Sequence, residues 1–185
     1  MGDLRLHPGG IAGESRRADG TQRLQLTSSP LGTSLPHWSY DGKQIAFIGG
    51  LPGKPTRIYI VSRDGGAPRQ VTNGESGKYG DSDPSWSPDG ALLAFGGIGL
   101  GTVGEESIHV VDLKTNHISA LPGSAGMWSP RWSPDGRFIA GLSGIPSTRL
   151  LLYDVRTQKQ SLVVNSSTRA ARPAERYSGF NSSFR

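Results

Sequence analysis

Cysteine is absent from this chain of 185 residues, which excludes disulfide bonds, thiolate metal ligands and a cysteine nucleophile. Long apolar runs are absent as well, and no stretch approaches the roughly 18 residues that a membrane-spanning helix needs. The first ten residues lack the apolar core of a secretory signal peptide. We therefore expect no membrane segment. The compartment stays open: the chain is cytoplasmic as written, and a periplasmic parent protein is the alternative.

A basic surface is also missing from most of the chain, although the formal net charge is +5. Residues 24–164 carry twelve Lys and Arg against eleven Asp and Glu, whereas residues 165–185 carry four Arg against Glu175 alone. Because much of the excess lies in this tail, the net charge does not indicate a nucleic-acid partner. We expect neither nucleic acid nor membrane to bind this chain.

Three near-copies of one phrase are present instead. The sequence reads PHWSYDGKQIAFIG from residue 36, PSWSPDGALLAFG from residue 84 and PRWSPDGRFIAGLS from residue 130. The tryptophans of the three copies, spaced 48 and 46 residues apart, are Trp38, Trp86 and Trp132. This period lies within the ~40–50 residues of propeller repeats.

Each copy contains a tight turn directly after its tryptophan. Proline suits the second position of such a turn, aspartate bonds to nearby backbone, and glycine accepts the positive φ at which the hairpin closes. Tyr40 takes the proline position in the first copy, a position that tolerates most residues. We interpret the recurring residues as structural, namely Trp38, Asp41, Gly42, Trp86, Pro88, Asp89, Gly90, Trp132, Pro134, Asp135 and Gly136.

Short apolar segments after each turn predict further strands, near residues 44–48, 57–62 and 69–72 in the first copy and at matching places in the others. Four antiparallel strands per repeat are typical of a propeller blade. A β-sandwich would not repeat its sequence, and the coils of a β-solenoid are usually shorter. The sequence therefore predicts an all-β fold, a partial β-propeller with about three complete four-stranded blades and the end of an earlier one.

The repeats do not extend to either end of the chain. We predict a divergent segment at 1–13, propeller repeats at 14–164 with units near 14–27 (partial), 35–72, 84–121 and 130–164, and a divergent, basic, disordered tail at 165–185. A complete propeller has about four to eight blades. One hypothesis is therefore that the chain is a fragment, or a reading frame whose two ends are read out of frame.

The repeated phrase resembles the WD40-like β-propeller repeat of the TolB-like bacterial family, and the resemblance covers about residues 14–164. It implies a platform that binds protein partners. Within the family the same repeats are also joined to winged-helix transcriptional regulators, to sensor kinases and to prolyl-oligopeptidase-type peptidases. A propeller fold hosts many functions, so the resemblance is specific for the fold and weakly specific for the activity.

Candidate chemical motifs are few. Residues 99–104 match G-x-G-x-x-G, but the segment after them predicts a strand rather than the helix that a phosphate site needs. Asp81 and Asp83 could offer oxygens to Ca²⁺, although we interpret them as part of a solvated loop before Trp86. His37, beside Trp38 on the expected innermost strand, could line a central channel. Neither G-x-S-x-G nor a histidine metal motif occurs.

From these observations we predict a non-catalytic interaction module, not an enzyme, with no catalytic, cofactor-binding or metal-binding residues and no cofactor. A protein partner would bind through the loops at one mouth, near residues 49–56, 74–83 and 96–107. The alternatives are the propeller portion of a larger enzyme or regulator, and a fragment without independent function. Open blade edges also predict self-association and poor solubility.

Overall fold

The computed structural model of the chain describes residues 14–15, 24–74, 80–97, 106–144 and 147–165. These residues form strands and turns, and none of them lies in a helix. Accordingly, no helix among them is long and apolar enough to cross a membrane.

The strands form three four-stranded antiparallel sheets and one two-stranded sheet. The two-stranded sheet, a partial blade, consists of β1 (Glu14–Ser15) and β2 (Leu24–Gln25). Blade 1 consists of β3 (Gly32–Trp38), β4 (Gln44–Gly50), β5 (Arg57–Ser62) and β6 (Arg69–Gln70). Blade 2 consists of β7 (Asp81–Trp86), β8 (Leu92–Gly97), β9 (Ile108–Asp112) and β10 (Ile118–Ala120). Blade 3 consists of β11 (Trp128–Trp132), β12 (Phe138–Ser143), β13 (Arg149–Asp154) and β14 (Lys159–Asn165).

Within each complete blade the strands follow one another in sequence order, each pairing with the next. A meander of this kind needs only short turns, which the recurring Ser-x-Asp-Gly segments supply. Three such sheets in succession, preceded by the end of another, confirm the predicted fold class of a partial β-propeller.

Apolar side chains hold successive blades together. The cluster between blades 1 and 2 joins Ile48 and Ile58 of one sheet to Trp86, Leu93 and Phe95 of the other. A second cluster lies between blades 2 and 3 and includes the buried residues Ala94, Ile108, Met127, Ile139 and Tyr153. The second strands of blades 1 and 2 are packed on both faces, which explains why their sequences are almost continuously apolar.

Each blade carries an apolar sheet face of the same type on the side that points along the chain order. Apolar cross-strand pairs form this face, namely Ala46 with Ile60 and Ile48 with Ile58 in blade 1, Ala94 with Val110 in blade 2, and Ala140 with Leu152 and Leu142 with Leu150 in blade 3. In blade 1 these residues are at most 5% exposed, whereas the four residues of blade 3 are only half-buried. The third blade therefore carries an apolar face of the inter-blade type that no described residue covers.

Candidate functional site

The antiparallel order sorts the connections onto two ends of the blades. The Asp-Gly turns that follow β3, β7 and β11 lie at one end, which we call the turn end. The β4–β5 loop (51–56) and the links between blades (71–74 and 121–127) lie at the other end, which we call the loop mouth. Binding residues on a rigid scaffold usually lie on such loops or just inside them.

The Asp-Gly turns are built identically in the three blades. In the first turn the Ser39 hydroxyl donates to Asp41 Oδ1 at 2.7 Å, and the same oxygen accepts the Lys43 amide at 3.0 Å. Gly42 closes the turn with a φ of +66°. These bonds, that from Ser39 first, hold the pKa of Asp41 below its ordinary value.

The second and third turns repeat this arrangement. The Ser87 hydroxyl donates to Asp89, the Ser133 hydroxyl donates to Asp135, and the glycines Gly90 and Gly136 both have a φ of +71°. Pro88 and Pro134 occupy the position before the aspartate. The structure thus places the three recurring aspartates in separate hairpins rather than in a ring of carboxylates.

The recurring tryptophans lie at the inter-blade contacts. Trp86 is 2% exposed, and its indole N–H donates to the His37 carbonyl of blade 1 at 3.0 Å. The Trp132 amide of blade 3 donates to the Ser85 hydroxyl of blade 2 at 3.0 Å. Trp38 packs against the apolar cluster that includes Leu26 and Phe47.

Each innermost strand is interrupted by a bulge at the same place. In β3, β7 and β11 the register shifts over two residues that face a single residue of the next strand. The first bulged residue is non-glycine with a positive φ in every case: Leu35 (46°), Asp83 (57°) and Ser129 (54°). Bulges turn a side chain away from the regular alternation of a strand and are common beside active sites.

Asp83 connects the innermost strands of the three blades. Its Oδ1 lies 2.6 Å from Arg131 Nη2 of blade 3 and 3.6 Å from His37 Nε2 of blade 1. The Ser129 hydroxyl, also of blade 3, donates to Asp83 Oδ2. We call these four residues, His37, Asp83, Ser129 and Arg131, the channel hub.

The hub carboxylate stays ionised under ordinary conditions. Burial of the Asp83 side chain, which is 13% exposed, raises its pKa. The contacts with His37, Ser129 and Arg131 outweigh burial and bring the pKa of Asp83 down to about 2. The hub is therefore a charged, hydrogen-bonded junction of three strands near neutral pH.

The hub holds serine, histidine and aspartate, but not in the order that nucleophilic catalysis requires. In hydrolytic triads the imidazole lies between the hydroxyl and the carboxylate and takes the proton of the hydroxyl. Here the carboxylate of Asp83 lies between Ser129 and His37. The hub as arranged positions groups and does not activate Ser129 as a nucleophile.

The hub lies between the two ends of the innermost strands. Asp83 is the third residue of β7, so roughly 7 Å of strand separates it from the loop mouth. At the turn end the Tyr40 hydroxyl of blade 1 donates to the Trp132 carbonyl of blade 3 at 3.2 Å, which links these two blades.

A second polar cluster lies where blade 1 meets the start of β7. Asp81 is fully buried, Arg57 Nη1 lies 3.9 Å from its Oδ2, and burial raises the pKa of Asp81. The Asp81 amide donates to the Thr56 carbonyl at 2.9 Å, and the Thr56 hydroxyl donates back to the Asp81 carbonyl at 3.0 Å. Asp81 and Asp83 belong to a strand, so the interpretation of this segment as a solvated loop was wrong.

Other sequence-predicted candidates lie apart from the hub. His109 stacks near Phe95 with ring centroids 5.8 Å apart, and burial lowers the pKa of His109. His117 is exposed. Within the described ranges no group of three or more His, Asp or Glu side chains is placed to hold a metal ion.

Several predicted positions lie partly or wholly outside the described residues. They include the G-x-G-x-x-G segment at 99–104 and parts of the candidate binding loops, namely residues 75–79 and 98–105. The described parts of those loops are 51–56, 74, 80 and 106–107 at the loop mouth, whereas residues 49–50 lie in β4, 81–83 in β7 and 96–97 in β8.

Sequence reasoning named His37 as a candidate for lining a channel and Asp83 as a candidate Ca²⁺ ligand, but it missed their contact with each other and with Ser129 and Arg131. An alignment of the three repeats with one another contains the missing signal. The positions two residues before the tryptophan (Pro), at the tryptophan and after it (Ser) are identical in all copies. The bulge position reads Leu, Asp and Ser, and the position before the tryptophan reads His, Ser and Arg. The constant positions build the blade, whereas the hub residues all come from these two varied positions.

No family model matches the chain. Two relatives do: the chain is 43% identical over 58 residues to the "Uncharacterized peptidase YuxL" of Bacillus subtilis, spanning 31% of this chain and 8% of that protein. It is 32% identical over 126 residues to the "Uncharacterized protein Atu1656" of Agrobacterium fabrum, spanning 67% of this chain and 40% of that protein. The chain therefore spans less than half the length of either relative.

Solved structures identify the class of fold. TolB from Acinetobacter baumannii superposes with a TM-score of 0.66 at 23% identity, covering 82% of this chain and 37% of TolB. A puromycin-hydrolyzing peptidase from Mycobacterium tuberculosis gives 0.61 at 16% identity, covering 88% of this chain and 26% of the peptidase. An oligogalacturonate lyase in complex with manganese superposes with a TM-score of 0.67 at 18% identity, covering 85% of this chain and 43% of the lyase. The described blades form a partial β-propeller. Within that class the fold is TolB-like.

These similarities correct the prediction that the chain is not an enzyme. One relative is a peptidase by name, and the similar folds include a lyase and a peptidase. The prediction rested on missing catalytic motifs within this chain. A propeller can, however, belong to an enzyme whose reacting groups lie on loops or on another part of the protein.

Proposed function

We propose that this chain is the propeller portion of a larger, peptidase-type protein, and that its loop mouth and channel hub bind polypeptide. The observation that carries the proposal is the hub. Unlike side chains from three innermost strands meet in the hub, and they stand beside Pro, Trp and Ser positions that are identical in the three repeats. Divergence at positions that meet across blades is expected where these side chains also meet a ligand.

The similarity to YuxL supports the peptidase-type setting, since 58 residues of the repeat region match a protein named as a peptidase. The geometry supports entry from the loop mouth, because Tyr40 links blades 1 and 3 at the turn end. Arg131, with a side chain 44% exposed, is the hub residue that a polypeptide ligand would contact first.

The experiment is a titration of the chain with short casein-derived peptides, followed by tryptophan fluorescence, since Trp132 neighbours Arg131. We expect saturable binding that Arg131→Ala weakens at least tenfold, the effect of losing a hydrogen bond from a charged donor. Arg156→Ala, in an exposed turn at the opposite end, is the matched control and should bind like wild type. Absence of saturable binding, or equal loss in both variants, would contradict the proposal.

A second candidate function is a TolB-type platform for a folded protein partner, which the similarity to TolB favours. A folded partner would rest on the rim of the loop mouth, where Leu51 is 42% exposed and Lys54 is exposed. The two functions separate by mutation. Leu51→Asp with Lys54→Glu should abolish binding of a folded partner and spare peptides, and Arg131→Ala should do the opposite.

A further inference from the structure

Arg131 has hydrogen-bonding capacity that the protein leaves open. Its Nη1 donates to the Pro130 carbonyl at 2.7 Å and its Nη2 donates to Asp83 Oδ1 at 2.6 Å. A guanidinium carries five N–H bonds and cannot accept. The contacts within the described part of the chain thus engage only some of the donors of Arg131.

The carboxylate oxygens of Asp83, by contrast, both have donors of the hub in contact with them. Asp83 receives Arg131 and His37 on one oxygen and Ser129 on the other. A ligand that enters the hub therefore meets mainly donors, and the group that matches them is an acceptor. Ammonium groups would compete with Arg131 for an aspartate that is already surrounded.

Relative exposure decides which charge a ligand encounters. The Arg131 side chain is 44% exposed, whereas that of Asp83 is 13% exposed. The cation is thus the more accessible of the two charges, and the carboxylate is the more deeply buried one. An anionic ligand approaches the guanidinium first, while the buried partner of Arg131 holds the guanidinium in place.

We propose that Arg131 binds a carboxylate of the ligand that enters the loop mouth, with Asp83 as the positioning residue that fixes the guanidinium. This inference rests on the proposed polypeptide-binding function. Arginine rather than lysine suits the role because its planar fork can grip both oxygens of a carboxylate. The chemistry is shared by a free carboxyl terminus and by an acidic side chain.

Leu35 is an exposed apolar residue on the innermost strand of blade 1. It occupies the bulge position of β3 equivalent to Asp83 in β7 and Ser129 in β11, and 49% of it is exposed. A carboxylate attached to an aliphatic group would offer a matching group to Arg131 and to Leu35.

The test compares two probes that differ only in charge, N-acetyl-leucine and N-acetyl-leucinamide, titrated calorimetrically into the chain. We expect the acid to bind at least tenfold more tightly than the amide, since hydrogen bonds between charged groups are about twice as strong as neutral ones. Peptide pairs with Leu at the end, as free acid and as amide, and with or without an internal Glu, distinguish a terminal from a side-chain carboxylate.

Variants assign the preference to one residue. Arg131→Gln should remove the difference between acid and amide, and Arg131→Lys should retain part of it. Arg156→Gln, the control in the exposed turn after β13, should leave it unchanged. Because the wild-type comparison of the two probes needs no substitution, a variant that fails to fold does not prevent the test.

The outcomes separate this inference from the proposed function. Equal binding of acid and amide by wild type, or a preference that survives in Arg131→Gln, overturns the carboxylate site. Peptides that bind without a carboxylate preference leave the proposed function standing and overturn the inference. Arg131-dependent binding of N-acetyl-leucine without any peptide binding supports the inference and overturns the function.

Discussion

Asp83 joins three blades although it belongs to only one of them. Its partners His37, Ser129 and Arg131 come from the innermost strands on either side. A carboxylate in this position adds hydrogen bonds between sheets that otherwise meet through apolar contacts, and removing its charge leaves Arg131 without a counter-ion.

We predict that Asp83→Asn lowers the free energy of unfolding by about 1–3 kcal/mol, the usual cost of disrupting a partly buried charged hydrogen bond. Urea denaturation measures this change. Asp64→Asn is the control, because the Asp64 side chain is 84% exposed and forms an exposed ion pair with Arg63. Exposed pairs of this kind contribute little, so the control should unfold like wild type. Equal stability of both variants would show that the hub does not hold the blades together.

A second prediction concerns pH. The pKa of Asp83 falls from an ordinary value of 3.8 to about 2 in the folded chain, because the folded state stabilises the ionised carboxylate. The resulting stabilisation, on the order of 2 kcal/mol, is fully present above the pKa that Asp83 has in the unfolded chain. It is lost as the pH falls towards the pKa that Asp83 has in the folded chain. The stability gap between wild type and Asp83→Asn should therefore be constant above about pH 5 and shrink between pH 4 and 2.

The groups that face Asp83 are His37 from β3 and Ser129 and Arg131 from β11. The substitution removes the carboxylate of Asp83, so a gap that shrinks in this range reports on that group. Urea midpoints of both proteins, measured at each pH, give the gap. A gap that stays constant down to pH 2 would refute the assignment.

The sequence predicts the turn residues well and the hub poorly, for a physical reason. Asp41 acts on Ser39 and Lys43, which are two residues away, so its role can be inferred from local spacing. Asp83 acts on Ser129 and Arg131, which are 46 and 48 residues away. Such a contact depends on the radial stacking of blades, and only comparison of the repeats indicates which positions take part.

At the scale of elements, the loop that joins β4 to β5 is fastened to the start of the next blade. Thr56 and Gly80 form an isolated parallel bridge, and two hydrogen bonds link Thr56 to Asp81. Gly80 has a φ of +119°, and a Cβ added there would lie 2.6 and 2.8 Å from the backbone N and O of Thr56. The loop mouth is therefore held rigidly where blades 1 and 2 meet.

We predict that Gly80→Ala costs about 2–4 kcal/mol of unfolding free energy, since a backbone clash adds to the penalty of a positive φ. Gly53→Ala is the matched control. Gly53 also has a positive φ, +71°, but its added Cβ would meet nothing within 4 Å. This control should cost only about 1 kcal/mol. Chemical denaturation of the two variants tests the difference. Equal losses of unfolding free energy would mean that the Thr56–Gly80 bridge adjusts to the added Cβ without further loss of stability.

At the scale of the whole molecule, blade 3 exposes the face that its two predecessors bury. The half-buried pairs Ala140–Leu152 and Leu142–Leu150 match the pairs with which blade 1 packs against blade 2. On the outermost strand, Leu162, Val163 and Val164 are more than half exposed. An apolar sheet face of this kind favours association with another sheet.

We predict that the chain self-associates through this face. Leu150→Lys should shift the sedimenting species towards the monomer by placing a charge within it. Leu51→Lys, at an exposed apolar residue of the loop mouth, should leave the assembly unchanged. Analytical ultracentrifugation over a range of concentrations measures both. A wild-type chain that sediments as a monomer and unfolds cooperatively would contradict the prediction.

The bulges of the innermost strands also have a consequence for how such a protein can acquire new specificities. Leucine, aspartate and serine all occupy the same backbone geometry, so the fold does not dictate which side chain stands there. A single substitution at the bulge position can therefore change the side chain presented there without altering the residues that build the blade. For a protein engineer, Leu35 is a ready grafting position, where acidic, basic or aromatic groups can be introduced beside the existing hub.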